Sequence, residues 1–358
     1  MSGALDEARA SAGRFLAGRP ADARLVVYCH FDADGLAAGA LFGRALPRLG
    51  FTDVRVVPSG RAESAFSDDA RARLRALAPD ALVVTDLGVR ADGVLPGVPT
   101  LYVDHHQPDG MPADPAALVV TGYGWHPIPC SAWLAYELLA PLAEEAGRPI
   151  DDLLWLGAVG TISDLGEKAP WPRLEEARKR WTAKWLKEAV VLTNAARRAS
   201  AFDVETPLAL LMTADHPRAL AEDVAHGADR LAAYRAEVNA ALAEARKAAP
   251  AFAAGGGPWA LLRLHSGCQV HPLIAQQWRG RLPNHAVIAA NTGYLPDAVA
   301  FSARTARRDL DLPALLRATG VGDGSGRFGH GHDQASGGHL APAAFATLLE
   351  RLGFDAGR

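Results

Sequence analysis

Short, unbroken apolar runs recur along the first half of the chain: Leu25-Val26-Val27-Tyr28-Cys29, Ala81-Leu82-Val83-Val84-Thr85 and Leu101-Tyr102-Val103. Runs of this length, rich in β-branched residues and without polar alternation, read as strands buried on both faces, the pattern of a parallel sheet. Between them the spacing turns helical. Gly35 to Leu46 predicts a helix, and Ser131 predicts the N-cap of another running from Ala132 to about Leu142, with Gly122, Gly124, Pro127 and Pro129 marking the loop before it. This alternation, from about residue 20 to 165, predicts βαβ units and a doubly wound parallel α/β lobe.

Further along, Arg218 to Ala249 carries alanine, leucine and interspersed charges at helical spacing, with Gly227 as its weak point, and predicts one long connecting helix. The run Ala253-Ala254-Gly255-Gly256-Gly257-Pro258 breaks it. Strand-like runs at Trp259 to Leu264 and Ala286 to Ala290 then open a second, smaller α/β lobe. Gly322 to His332 is too glycine-dense for an element interior and is expected to be loop. The expected organisation is a catalytic domain over 1–190, a helical connector over 191–250 and a substrate-binding domain over 251–358.

A length of 358 residues suits two cores better than one. Apolar residues at 49% and charged residues at 22% match a soluble globular protein. No apolar run reaches the roughly 20 residues needed to span a bilayer, and Met1 to Glu7 lacks the basic and apolar regions of a secretory signal. The expectation is a cytoplasmic enzyme without a membrane partner. Cys29, Cys130 and Cys268 are odd in number and widely spaced, which argues against a disulfide framework or a cysteine zinc site, so they read as small buried hydrophobes. A formal net charge of −3 supplies no global field to draw in long nucleic acid, and any polyanion must be held by a local cleft and by metal ions.

The candidate chemistry lies where the apolar runs end. His30-Phe31-Asp32-Ala33-Asp34-Gly35 follows the first, Asp86 the second, Asp104-His105-His106 the third, and Asp164 lies further along. In an open parallel sheet, ligands gather outside the carboxyl ends of the strands, so residues far apart in sequence converge there. In an extended segment His30, Asp32 and Asp34, at i, i+2 and i+4, point to one side. Carboxylates and imidazoles without thiolates suit hard or borderline divalent ions, Mn²⁺ before Mg²⁺. Two ions about 3.5–4 Å apart would clamp a phosphoryl group and activate a water. Asp86, contributed singly from a central strand end, is the natural bridge. Any one cluster alone would read as ordinary surface acids; the recurrence at successive strand ends weighs against that.

These motifs resemble those of the DHH phosphoesterases, named for the Asp-His-His triplet found here at 104 to 106. His30, Asp32 and Asp34 match the family's first motif, Asp86 the second, the triplet the third, and Asp164 in Gly160-Thr161-Ile162-Ser163-Asp164 the fourth. The resemblance implies one ion held by His30, Asp32 and Asp86 and another by Asp34, Asp86, His105 and Asp164, with His106 against the substrate phosphate and Asp104 orienting an imidazole from behind. The His-x-Asp-x-Asp-Gly spacing at 30 to 35 looks like the RecJ-type exonuclease branch. Asn194-Ala195-Ala196-Arg197-Arg198 is similar to that branch's Asn-Ala-Ala-Gly-Arg, with Arg197 standing where glycine is usual, and implies Asn194 and Arg198 as substrate contacts.

Ser302-Ala303-Arg304 matches the Ser-x-Arg element of the DHH-associated C-terminal domain, whose guanidinium would grip phosphate. Gly329-His330-Gly331-His332 looks like that domain's glycine-rich signature, with His330 replacing a glycine; its backbone amides would form an anion-binding nest. His339 reads as a surface-loop residue, and His126, His216, His226, His265, His271 and His285 as structural or solvated. RecJ proteins that process long strands carry an additional OB-fold, which supplies a strand-tracking groove; its lack here tilts the expectation toward short oligonucleotides. Trp171, Trp181 and Trp185 could stack bases, but their helical spacing favours packing. The resemblance thus implies a Mn²⁺-dependent, single-strand-specific exonuclease or oligonucleotidase with two metal ions, acting on a short single-stranded oligonucleotide or nucleotide, with a homodimer as one arrangement. The alternatives are a phosphoesterase for a small nucleotide, cyclic dinucleotide or polyphosphate, and a non-hydrolytic RecJ-like scaffold, a role in which metal ligands are usually lost.

Overall fold

The apolar runs become the inner strands of a five-stranded, all-parallel sheet in a computed structural model that describes residues 2–321 and 328–354. Its strands are β1 (Arg24–Cys29), β2 (Asp53–Pro58), β3 (Ala81–Thr85), β4 (Thr100–Asp104) and β5 (Ala117–Thr121), in the order β2-β1-β3-β4-β5. β3 and β4 are buried at every position and β1 at all but its first, which is why their sequences do not alternate. Val26, Tyr28, Leu82, Val84 and Tyr102 share one face with Leu74 of the helix Asp68–Ala76. The helix Ala33–Arg48, buried along most of its length, packs against β1 and against the helices Ser131–Glu145 and Leu154–Leu165.

The chain divides into two compact units, Met1–Arg197 with Asp203–Ala232, and Arg198–Phe202 with Ala233–Arg358. In the first, Trp171 and Trp181 are core residues, 2% and 4% exposed, and Trp185 is half-buried. Trp171 stacks on Trp133 with centroids 5.7 Å apart and donates Nε1–H to Glu137 Oε1 at 2.9 Å. Trp171→Ala should therefore cost about 3–5 kcal/mol, the range for emptying a buried aromatic site. Urea unfolding measures this, and a loss under about 1 kcal/mol would contradict the packing role.

The second unit is built on a six-stranded mixed sheet in the order β10-β11-β9-β8-β7-β6. Its strands are β6 (Ala251–Phe252), β7 (Trp259–Leu264), β8 (Ala286–Asn291), β9 (Val299–Thr305), β10 (Phe328–His332) and β11 (Ala335–Leu340). β7 and β8 are parallel, with the helix His271–Arg281 between them in sequence, and the other pairs are antiparallel. Trp259, Leu261, Ile288 and Phe301 form a core on one face; Ala260, Leu262, Val287 and Ile274 form one on the other.

Two expectations change. The stretch 218–249 is not one helix: a short helix Ala219–Glu222 and a tight turn Val224–His226 precede the helix Ala228–Ala245. Gly227 marks the break at φ +107, and a Cβ there would lie 2.7 Å from Thr206 Cγ2, so both backbone and packing call for glycine. The glycine-rich segment is also not all loop. Phe328–His332 pairs with β11, with a register shift between Phe328 and His330. Gly329 absorbs that irregularity at φ +71, as a bulge glycine does. Residues 322–327 of the expected loop, and the side chains of 330–332, lie outside the described residues. The three cysteines are buried and free, as expected.

Candidate metal centre

The strand order reverses direction between β1 and β3, so the crevice outside their carboxyl ends is the topological switch point. His30 follows β1 and Asp86 follows β3. The His30 N–H donates to Thr85 O and the Asp86 N–H to Val103 O, each at 3.2 Å, extending the ladder into the site. Asp86 sits at φ +64, a left-handed conformation costing roughly 1–2 kcal/mol for a non-glycine residue and most tolerable for Asp and Asn. The strained turn carries a side chain that is only 3% exposed.

Two helix starts fix the neighbouring carboxylates. Asp32 caps the helix Ala33–Arg48, its Oδ1 accepting from the N–H groups of Asp34 and Gly35 at 3.1 and 3.0 Å. Asp34 is fully buried; its Oδ2 accepts from the Ser131 N–H and its Oδ1 from the Ala132 N–H, both at 2.9 Å. These are the orphan donors of the helix Ser131–Glu145, and a carboxylate at a helix N-terminus is doubly favoured. Ser131 is not the N-cap the sequence suggested. Cys130 takes that position, its Sγ accepting from the Trp133 N–H at 3.5 Å. The Ser131 hydroxyl instead donates to Asp86 Oδ1 at 3.0 Å.

The acids and imidazoles meet around Asp86. His30 Nδ1 lies 3.2 Å from Asp32 Oδ2 and 3.4 Å from Asp86 Oδ2. His105 Nε2 lies 3.3 Å from both Asp86 Oδ1 and Asp164 Oδ2, and 3.9 Å from Asp34 Oδ2. Among the described residues, His30, Asp32 and Asp86 form one group with donor atoms within 4.8 Å of one another, Asp34, His105 and Asp164 a second, and Asp86, His105 and His106 a third. Among the described residues, buried His105 Nε2 makes no hydrogen bond of good geometry, although three carboxylates surround it. A buried polar atom left so calls for an occupant, and imidazole with carboxylates fits divalent Mn or Mg.

Asp104 stands behind this layer. Its Oδ1 accepts from the backbone N–H groups of His105 and His106 at 2.8 and 2.7 Å, and its Oδ2 from Gly88 N–H at 2.7 Å. Oδ1 also meets His106 Nδ1 at 2.9 Å, which favours the tautomer with its proton on Nδ1 and Nε2 free. The His106 side chain is 44% exposed and can meet a ligand. Burial alone would raise the pKa of Asp104, but His106 and these amides outweigh it and hold it down at about 2.

Burial opposes protonation of His30, but Asp32 and Asp86 prevail and lift its pKa to about 10. His105 reaches about 10 in the same way, against burial, through Asp86, Asp34 and Asp164. Burial, then Asp86 and Asp32, raise Asp164 to about 6; burial, then Asp86 and Asp164, raise Asp34 well above its ordinary range. Metal-free, His30 and His105 stay protonated at neutral pH. The stabilisation from His30 and His105 is complete below pH 6.5 and lost as pH rises through 10, and that from Asp164 is lost as pH rises through 6. The metal-free protein should therefore melt lower at pH 10 than at pH 7. Because ligation requires neutral imidazoles, Mn²⁺ binding at pH 7.5 should release about two protons and tighten with rising pH. Calorimetry in buffers of different ionisation heat measures the release; none at all would contradict imidazolium at these positions.

The expected substrate contacts divide between the units. Asn194, 6% exposed in the helix Ala183–Arg198, donates Nδ2–H to Ser163 Oγ at 3.1 Å, beside Asp164, and accepts from Arg197 Nε at 2.8 Å. Arg197 also lies over the Phe31 ring at 5.7 Å and helps lower the Asp32 pKa. It therefore faces the first motif, a role missed when the residue was read only as a departure from glycine. Arg198 belongs to the second unit, where its carbonyl accepts from Gln269 N–H.

In that unit Ser302 and Arg304 sit together on β9, Arg304 Nη1 donating to Ser302 Oγ, Ala303 O and Ser336 O at 2.7, 2.9 and 3.1 Å. His271, left as structural in the sequence reading, is 5% exposed with Nδ1 unpartnered among the described residues. Burial and then Arg304 push its pKa down to about 3, so it is a neutral imidazole beside a cation. No sequence signal separated it from the other histidines.

No protein-family model matches the chain. Over 165 residues it is 32% identical to the single-stranded-DNA-specific exonuclease RecJ of Thermus thermophilus, a match covering 42% of this chain and 24% of that relative. The chain thus aligns with about a quarter of the curated relative's length. A crystal structure of exonuclease RecJ bound to manganese superposes with a TM-score of 0.70 at 24% identity, over 98% of this chain and 94% of that one. RecJ from Thermus thermophilus in complex with Mn²⁺ superposes with a TM-score of 0.68 at 22% identity, over 98% of this chain and 54% of that one. At these identities the structures establish the fold. Among the described residues no helix is long and apolar enough to cross a membrane.

Proposed function

We propose, from a fold like that of exonuclease RecJ and from motifs that resemble those of the DHH phosphoesterases, that the chain is a Mn²⁺-dependent phosphodiesterase that removes nucleotides from the end of a short single-stranded oligonucleotide. The observation that carries this reading is Asp86, whose Oδ2 faces His30 and whose Oδ1 faces His105. One carboxylate serves two ligand groups at the switch point of the sheet. His30, Asp32 and Asp86 would hold one ion, and Asp34, Asp86, His105 and Asp164 the other. When bound, the pair supplies an activated water nucleophile and neutralises charge at the scissile phosphate.

The remaining work belongs to the chain. Helix-terminal amides hold Asp34 where it need not reorganise on binding, and the Asp32 cap does the same for its own carboxylate. His106, braced by Asp104 at Nδ1 and, against burial, raised in pKa by Asp104 and Asp86, would as an imidazolium donate Nε2–H to a phosphate oxygen. In the second unit, Arg304 and Ser302, with the backbone of 329–332, offer donors suited to a phosphate. Arg197 over Phe31 adds a positive charge beside the first motif, where a polyanion would be drawn against a net negative protein.

The test is Mn²⁺-dependent digestion of single-stranded DNA and RNA, two to forty nucleotides long and labelled at either end. Stepwise shortening of short oligomers supports the proposal. Activity restricted to cyclic dinucleotides, small nucleotides or polyphosphate would replace it with the small-substrate reading, and no hydrolysis with any divalent metal would leave the scaffold.

A further inference from the structure

We propose that Ser131 is a positioning residue of the metal centre: its hydroxyl sets the orientation of the shared Asp86 carboxylate and so the relation between the two ion sites. This deepens the phosphodiesterase reading and rests on it. The two oxygens of Asp86 are divided, Oδ2 at 3.4 Å from His30 Nδ1 and Oδ1 at 3.3 Å from His105 Nε2. Such a division holds only while the carboxylate plane is fixed. A lone aspartate at a left-handed turn can rotate about χ2, a broad and nearly two-fold torsion. The Ser131 hydroxyl, donating to Oδ1 at 3.0 Å from a residue with no exposed surface, restrains that rotation.

Its own position is fixed independently. The Ser131 N–H is bonded to Asp34 Oδ2 at 2.9 Å, so one residue grips both a ligand of the second group and the carboxylate common to both. A hydroxyl bonded to Oδ1 occupies one acceptor direction of that oxygen and leaves another toward His105, while Oδ2 stays turned to His30 and Asp32. The side chain touches neither substrate nor nucleophile in this scheme. Removing groups that orient metal ligands typically costs 10–100-fold in affinity or activity, and Ser131 fits that class. Alanine deletes the hydroxyl but keeps the backbone N–H on Asp34, so the two contributions separate cleanly.

The experiment compares wild type, Ser131→Ala and Ser131→Thr by Mn²⁺ titration calorimetry, by Mn²⁺ electron paramagnetic resonance for spin coupling between paired ions, and by hydrolysis of a short oligonucleotide. For Ser131→Ala the expected results are about 10–100-fold weaker binding of the second ion, altered coupling between the ions, and kcat reduced by about the same factor with KM within about twofold. Ser131→Thr, which keeps the hydroxyl, should recover most of each. Unchanged isotherms and coupling in Ser131→Ala, or equal defects in Ala and Thr variants with matching melting temperatures, would overturn the proposal. If wild type binds two Mn²⁺ but hydrolyses nothing, the phosphodiesterase reading fails while the binding measurements still decide the role of Ser131.

Discussion

Asp86→Ala should reduce Mn²⁺-dependent hydrolysis by roughly 10³-fold or more. Two bound ions would together supply several kcal/mol of transition-state charge stabilisation, and each 1.36 kcal/mol is tenfold in rate. Among the described residues Asp86 is the one acid in both the His30 and the His105 groups, so its loss should weaken both sites, whereas Asp32→Ala or Asp164→Ala leaves one group complete. The fold should survive. Deleting Asp86 relieves repulsion with Asp34 and Asp164 but removes a partner from His30, His105 and the Ser131 hydroxyl, so a modest fall in melting temperature is expected. Hydrolysis, Mn²⁺ stoichiometry and thermal melting together measure this, with Asp86→Asn as a companion that keeps the shape. Near-normal rates in a folded Asp86→Ala protein would end the two-metal assignment.

Gly160→Ala should be destabilising although it places a better helix former in the helix Leu154–Leu165. Propensity alone favours alanine by about 0.5–1 kcal/mol at a helix interior. Sterics oppose it: a Cβ on Gly160 would lie 2.4 Å from Ala132 Cβ and 2.4 Å from Asp34 Oδ1. Neither neighbour can yield cheaply, since Ala132 lies in the first turn of the helix Ser131–Glu145 and Asp34 is held by that helix's amides. Overpacking of this kind costs about 1–3 kcal/mol, enough to exceed the propensity gain. The shift would also drive Asp34 off its two donors, so Mn²⁺ affinity should fall by about 10–100-fold. Urea unfolding and Mn²⁺ titration read the two effects; a variant as stable as wild type with unchanged affinity would refute the close approach.

These two positions differ in how far the chain betrays them. Asp86 was legible because β3 is buried at every position and its carboxylate follows at once: a charge ending an apolar run must sit at a strand end. The same logic located His30 and the 104 to 106 triplet. Gly160 lies in a motif recognised for its aspartate, and nothing in the local pattern says what its missing side chain makes room for. Ser131 was read as an N-cap, but Cys130 holds that position and the Ser131 hydroxyl serves Asp86 instead. Serine caps helices often enough that local reasoning stops there, while its hydroxyl partner Asp86 is 45 residues earlier in the chain. Arg197 was visible only as a break in a motif, and its place over Phe31 needed the fold. The glycines at 329 and 331 argued for loop; pairing of β10 with β11 overrode them, with Gly329 serving as the bulge.

The amino-acid sequence by itself determined the parallel sheet, the strands buried on both faces and the set of acids and histidines at their ends. Burial imposes composition residue by residue, and a strand end is a local event. Only the tertiary structure decided which carboxylate faces which imidazole, that the N–H groups of Ser131 and Ala132 hold Asp34, that the Ser131 hydroxyl meets Asp86, and where close packing requires Gly160. Those choices depend on distances of about 3 Å between segments far apart in the chain, which packing of the helices against the sheet sets and no periodicity records.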